Sequence, residues 1–276
     1  MIQPLINFFK IIRWKNVLIY LLLQFLVYFV VAEKNFSWTD GWFFLVLSMT
    51  FFGIFGNIQN NLTDYDKDQS KKDFVSFNQT TYLILMLIFL VVAFVLGFTG
   101  FYMTFQPNLL YAVISVPVLL SLYNYYLKKT PVAGNILVAL LTALGIYIPL
   151  AFGKNITIDR HIFELLLGMA FGLSLIRELA KDLEDIPFDK TAGYKTLPVL
   201  SENISRYVLM ILTLLTPVLL FRFKTYFTGI TFNILLIISI LFAFLGFYTL
   251  YRKQYEITTK LFKLWMLVGI FSVVFL

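Results

Sequence analysis

Thr80-Thr81-Tyr82-Leu83-Ile84-Leu85-Met86-Leu87-Ile88-Phe89-Leu90-Val91-Val92-Ala93-Phe94-Val95-Leu96-Gly97-Phe98 decides the fold. The stretch carries no charge and no proline. As a helix it rises ~1.5 Å per residue and crosses the ~30 Å hydrocarbon core of a bilayer. A soluble core helix would keep a polar stripe toward water, and this one has none. The reading extends to the rest of the chain. Its 276 residues are 60% hydrophobic and only 13% charged. A soluble domain of ordinary composition carries about 25% charged residues. Soluble fold classes are excluded, and the fold expected is all-α, a multi-pass membrane bundle.

Apolar runs mark about nine spans of near-bilayer length. They are Val17–Ala32, Trp42–Ile58, Thr80–Phe98, Leu109–Tyr126, Pro131–Phe152, Ile162–Ile176, Tyr207–Phe221, Ile230–Tyr251 and Leu261–Leu276. Residues 1–15 hold Leu5, Ile6, Phe9 and Ile12 among Lys10, Arg13 and Lys15, which predicts an amphipathic helix on the membrane surface. The first apolar run lacks a small-residue cleavage site, so it is read as a retained span. There is no linker, low-complexity tract or composition break, so 1–276 is read as a single integral-membrane domain.

Charge sets the expected orientation. Of 22 lysines and arginines, all but Lys34, Lys154, Arg160, Arg222 and Lys224 fall at the N-terminus or in the loops after spans two, four, six and eight. The positive-inside rule makes those segments cytoplasmic, with the N-terminus in and the C-terminus out. A bacterial or archaeal cell membrane is the expected location. The net charge of +7 is explained by this loading, without a nucleic-acid partner.

The absence of cysteine and the single histidine, His161, limit the chemistry. Thiol nucleophiles, Cys-ligated metals and His clusters are all excluded. Asp, Glu, Asn, Lys, Arg and Tyr remain, a set suited to hard cations and phosphate. Two acidic segments stand out, both on the expected cytoplasmic side. Asn57, Asn60, Asn61, Asp64 and Asp68 fall on one helical face, with Asp66 pointing away. Glu178, Asp182, Asp185 and Asp189 repeat the pattern, with Pro187 predicted to end the regular helix before Asp189.

Asn61, Asp64 and Asp68 share their spacing with Asp182, Asp185 and Asp189. That suggests two related half-sites facing each other across the bundle, each able to hold a divalent cation, with an anionic substrate bridging them. Mg2+ suits one or two carboxylates completed by water and phosphate oxygens. Acids just beyond a span are commonly no more than solvated loop residues. Two segments matched in spacing, side and face argue against that here. Lys128, Arg177, Lys181, Lys190 and Lys195 lie nearby and fit a phosphate partner. Deep aromatic residues could line an apolar tunnel or shield a cation through their π faces.

At these residues the chain resembles the UbiA superfamily of intramembrane prenyltransferases. Arg13-Trp14-Lys15-Asn16 is similar to the family's pre-span Arg-Pro-x-Asn. Asn60-Asn61-x-x-Asp64-x-x-x-Asp68 is similar to its first motif, N-D-x-x-D-x-x-x-D. Tyr123 to Lys128 with Gly134-Asn135 resembles its Tyr-Ser-x-x-Leu-Lys…Gly-Asn element. The second motif is matched by Arg177 to Asp185, then Asp189, Gly193 and Thr196-Leu197-Pro198. Three features depart from the pattern. Asn61 stands where the family often has Asp. Gln69-Ser70-Lys71-Lys72-Asp73 replaces the Asn-Arg-Pro-x-Arg-Pro segment, leaving Lys71 and Lys72 as substitutes for its arginines. Pro187-Phe188 replaces a Glu-Gly-like pair.

The resemblance implies nine transmembrane helices around a central cavity, and Mg2+-assisted prenyl transfer from an isoprenoid diphosphate donor to a lipophilic acceptor among membrane lipids. It implies that Asn60, Asn61, Asp64 and Asp68 hold one cation and Asp182, Asp185 and Asp189 the other. Lys128, Arg177, Lys181, Arg13 and Lys190 would bind diphosphate, while Asn16, Asn57 and Tyr123 would contact substrate. The second motif looks most like members that prenylate glycerol-phosphate lipids, the digeranylgeranylglyceryl phosphate synthases. The alternatives are an aromatic acceptor of quinone or haem type, a membrane terpene cyclase, a diphosphate hydrolase, and a transporter or lipid-binding protein. Transporters place polar groups at midplane in paired repeats, whereas here charge gathers at one face.

Overall fold

The computed structural model describes residues 2–31, 41–68, 77–153 and 158–272. Among them the chain is all-helical. Its elements are α1 (Ile2–Ile11), α2 (Trp14–Leu26), α3 (Trp42–Thr63), α4 (Tyr65–Asp68), α5 (Gln79–Thr104), α6 (Pro107–Tyr125) and α7 (Ala133–Phe152). Then follow α8 (Arg160–Glu184), α9 (Ile186–Thr191), α10 (Leu197–Leu200), α11 (Glu202–Phe221), α12 (Ile230–Tyr251) and α13 (Tyr255–Ser272). Six helices are long and apolar enough to cross a membrane: α3, α5, α6, α7, α11 and α12. The bent pair α1–α2 would add a seventh. The expected spans in α8 and α13 are helical but do not meet that test among the described residues. Gln69–Asp73, Ala32 and the last four residues of the ninth expected span lie outside the described residues.

The chain forms two compact units. The first comprises Met1–Tyr28, Lys34–Leu127 and Leu144–Ile156. Its centre is α3, 67% buried along its apolar window, while α5 is only 17% buried and turns most of its surface outward. Lipid tails give helices little hydrophobic reason to associate, so close backbone approach must do more of the work. Gly97 and Gly100 of α5 provide it. A Cβ on Gly100 would fall 2.6 Å from Leu45 Cδ2, and one on Gly97 2.8 Å from Val113 Cγ1. Ser48 on α3 donates to the Ala93 carbonyl at 2.8 Å across the same contact. Leu45, Met49, Phe52, Ala93, Leu109, Val113 and Ile148 fill the core around it.

Proline shapes the same unit at α7. Pro149 has no N–H, so the carbonyl of Gly145, four residues earlier, loses its helical partner. Two α2 side chains donate to it instead, the Tyr20 hydroxyl at 2.6 Å and Gln24 Nε2 at 3.1 Å. These are deep polar residues, and the proline explains both.

The N-terminal helix differs in part from the surface helix expected over 1–15. α1 ends at Ile11 and meets α2 at a bend of 58°, through Arg13 in the left-handed conformation (φ 55°). Ile11 and Ile12 are buried with Ile54, Ile58 and Tyr82, whereas Leu5 and Phe9 remain exposed. The amphipathic face is therefore divided between protein and surroundings.

The second unit comprises Phe29–Glu33, Lys128–Ala143 and Thr157–Leu276. Its core joins α8, α11, α12 and α13 through Leu173, Ile176, Leu209, Ala243, Phe262 and Trp265. Gly246 lets α12 approach Phe262, whose Cε1 would lie 2.5 Å from a Cβ there.

Candidate active site

The helical wheel drawn through Asn57–Asp68 assumes one continuous helix, and the structure corrects this. α3 ends at Thr63, Asp64 takes φ −100°, ψ 11°, and α4 restarts at Tyr65. The second acidic segment breaks in the same way. α8 ends at Glu184, Asp185 takes φ −84°, ψ 2°, and α9 restarts at Ile186 with Pro187 in its first turn. Pro187 cannot give its N–H to the carbonyl four residues back, so it ends one helix while fitting the start of the next. The residues paired by spacing, Asp64 and Asp185, thus both occupy the sparsely populated bridge region at a helix break.

In the first segment Asp64 is buried, Asn57, Asn60 and Asn61 are half-buried, and Asp66 is exposed as expected. Asp68 lies in α4, and its side chain is outside the described set. Asn57 Nδ2 donates to the Ile12 carbonyl at 3.2 Å, and Asn61 Nδ2 to the Ile11 carbonyl at 3.1 Å. Asn124, one residue after Tyr123, is buried on α6. Its Nδ2 donates to the Gly56 carbonyl at 3.1 Å and to Gln59 Oε1 at 2.9 Å, while Gln59 Nε2 donates to Ser121 Oγ. The end of α3 is therefore held from two sides. Tyr123 is half-buried, as are Arg13 and Asn16 at the α1–α2 corner.

In the second segment each acid has a structural partner. Asn135 Nδ2 donates to Asp182 Oδ2 at 2.7 Å, and Thr196 Oγ1 to Asp189 Oδ2 at 3.2 Å. Lys181 Nζ lies 3.9 Å from Asp185 Oδ2, and Arg177 pairs with Glu178. Lys195 N–H donates to the Lys129 carbonyl at 3.0 Å, and Lys129 Nζ sits 5.6 Å from the Tyr194 ring centre. This ties the turn carrying Lys128 to the loop after α9. Lys190 is exposed. Asp182 lies beyond the apolar stretch Ile162–Ile176. Burial pushes its carboxyl up to about 7, the Asn135 amide pulls it down, and Glu178 pushes it up again.

Gln59 received no role from the sequence, and Asn124, Asn135 and Thr196 were only parts of motifs. Their donors act on other residues of the site, which spacing along one helix does not reveal. Among the described residues no three acidic or histidine groups converge as a ready-made metal cage. The donors present are carboxylate and carboxamide oxygens, a chemistry that suits Mg2+ completing its shell with water and phosphate oxygens.

Comparison with known proteins places the chain in a family. The chain is 28% identical over 218 residues to the digeranylgeranylglyceryl phosphate synthase of Methanosphaera stadtmanae, covering 75% of this chain and 76% of that one. It is 30% identical over 216 residues to the enzyme of that name from Saccharolobus solfataricus, covering 73% and 70%. A UbiA homologue from Archaeoglobus fulgidus, solved bound to GPP and Mg2+, superposes with a TM-score of 0.64 at 18% identity, over 98% of this chain and 100% of that one. The UbiA prenyltransferase family matches residues 21–268, and the chain belongs to it.

Proposed function

We propose that this protein transfers a prenyl group from an isoprenoid diphosphate to a prenylglycerol phosphate within the membrane, with Mg2+ as cofactor. The observation that carries the reading is the pair of like-built helix breaks centred on Asp64 and Asp185, in a chain of the UbiA family. The names of the relatives support the glycerol-phosphate acceptor, and the A. fulgidus homologue, solved with GPP and Mg2+, supports donor and metal.

Asp64 and Asp68 would hold one Mg2+, with Asn60 and Asn61 beside them. Asp182, Asp185 and Asp189 would hold the other. The charge supplied by Mg2+ held there would offset that of the departing diphosphate, which takes the electron pair of the allylic C–O bond. Lys128, Lys181, Arg177, Arg13 and Lys190 add positive charge around it, and Asn16, Asn57 and Tyr123 contact substrate. The acceptor hydroxyl oxygen then forms the new bond to carbon and gives up its proton to the released diphosphate, in surroundings that keep water out.

We read the whole chain as one catalytic domain with nine membrane helices: the six apolar ones, the α1–α2 pair, α8 and α13. The N-terminus and both acidic segments lie in the cytoplasm, and the C-terminus lies outside.

The test uses purified protein with Mg2+ and radiolabelled isoprenoid diphosphates, each with and without prenylglycerol phosphate or an aromatic acceptor. Label is expected in the glycerol-phosphate lipid and absent with Asp64→Ala and Asp185→Ala. Label in an aromatic product would move the acceptor class, and free prenyl alcohol alone would make the protein a hydrolase. No donor consumption, and no Mg2+-dependent donor binding, would overturn prenyl transfer.

A further inference from the structure

Two carboxamides of α3 do unusual work at the first acidic segment. Where α1 bends by 58° into α2, the left-handed Arg13 interrupts the helical hydrogen-bond ladder. The Phe8 carbonyl still receives the Ile12 N–H, and the Lys10 carbonyl the Arg13 N–H. The Ile11 and Ile12 carbonyls are met from α3, by Asn61 Nδ2 at 3.1 Å and Asn57 Nδ2 at 3.2 Å. A carbonyl only accepts, so each side chain must present its NH2 end there. Asn57 and Asn61 are one helical turn apart on the same face, so they take the two successive carbonyls as rungs. Ile11 and Ile12 are themselves buried against Ile54 and Ile58 of that helix.

We infer that Asn57 and Asn61 form a clamp that holds the α1–α2 corner, and with it Arg13 and Asn16, on the first acidic segment. Asn61 is then a positioning residue and not a metal ligand, and the first half-site holds its cation through carboxylates further along the segment. The clamp accounts for asparagine where the resemblance expects aspartate. An aspartate at 61 has no proton to donate and would set a negative oxygen about 3 Å from the Ile11 carbonyl oxygen. The counterpart position in the second segment, Asp182, is also committed to a neighbouring element, but as the acceptor from Asn135.

The inference rests on the proposed prenyl transfer only through Arg13, and the test separates the two. Hydrogen–deuterium exchange over residues 5–16 is compared for wild type, Asn61→Asp and Asn57→Ala. Donor KM, kcat and half-saturating Mg2+ are measured on the same proteins. Losing a partly buried hydrogen bond of about 1 kcal/mol raises local opening about fivefold, so exchange is expected to rise by about that factor in Asn61→Asp and less in Asn57→Ala. Donor KM is expected to rise about fivefold or more with little change in kcat, while half-saturating Mg2+ stays put. Unchanged exchange with a several-fold lower Mg2+ requirement in Asn61→Asp would make Asn61 a metal ligand and overturn the clamp. If Asn61→Asp does not fold, Asn57→Ala decides through exchange alone, and unchanged protection there overturns the clamp. Faster exchange in proteins that turn over no donor, wild type included, would uphold the clamp while removing prenyl transfer.

Discussion

Asp182 sets the clearest pH dependence of the molecule. Its carboxyl, ordinarily near 3.8, is pushed up to about 7 by burial, with Glu178 adding to the effect. The sign follows from linkage. A carboxyl whose folded pKa is raised contributes its full stability at pH below the unfolded value and loses it as pH climbs through the folded value. Metal-free protein is therefore expected to melt at a lower temperature at about pH 8 than at about pH 5.5. On the proposed assignment Mg2+ would bind this carboxylate in place of its proton, so its stabilising increment should grow over the same interval. Melting curves with and without Mg2+ at the two pH values check this, and Asp182→Asn should flatten the metal-free difference. Asn135→Ala removes a bond that favours the charged form, so the Mg2+ increment should move to higher pH.

The sequence disclosed these acids by residue type and period, because periodicity survives a one-residue break. It did not disclose the break at Asp64, since no proline marks it, whereas Pro187 announced the one at Asp185. Nor did it disclose Asn124, Asn135 or Thr196 as partners. Each reaches its target from elsewhere along the chain, 65 positions away for Asn124 and Gln59 and 47 for Asn135 and Asp182.

Among the helices, α3 and α5 present the sharpest test of packing. Gly100→Ala would set a methyl 2.6 Å from Leu45 Cδ2 and 2.9 Å from its Cγ, against a leucine with no exposed surface. Overpacking of that kind costs about 1–3 kcal/mol. Gly53→Ala on α3 meets nothing within 4 Å. It should be neutral or stabilise by up to about 1 kcal/mol through helix propensity. Unfolding in mixed micelles, read by far-UV circular dichroism, ranks the two. The apolar run of α5 was plain in the sequence, but the use of its glycines was not, because a glycine reads alike whether it weakens a helix or admits a neighbour. The amphipathic pattern of residues 1–15 was equally plain. Its division between buried Ile11 and Ile12 and exposed Leu5 and Phe9 arises from the bend, which no periodicity encodes.

At the scale of the whole molecule, the lack of cysteine makes topology directly measurable. Single cysteines placed at Lys253 and at Lys224 flank α12. In intact cells, a membrane-impermeant maleimide is expected to label Lys224→Cys and spare Lys253→Cys, with the pattern reversed in inverted vesicles. Labelling of both positions from one side would refute the crossing of α12 and the orientation built on lysine and arginine counts. Span number was the least legible feature of the sequence. α8 is one helix carrying both an apolar stretch and the start of the second acidic segment, so its composition alone does not separate a crossing helix from one that ends inside the protein.

Pro149 and the two donors that serve the Gly145 carbonyl behave as a single heritable unit. Losing the proline alone idles both donors, and losing both donors alone leaves the carbonyl unserved. Changed together, to alanine at 149, phenylalanine at 20 and leucine at 24, they become an uninterrupted helix against an oily neighbour. The chain can therefore hold either of two self-consistent arrangements, and forms that keep only the proline or only the two donors are expected to be less stable than both. The triple replacement should recover thermal stability that Tyr20→Phe with Gln24→Leu loses.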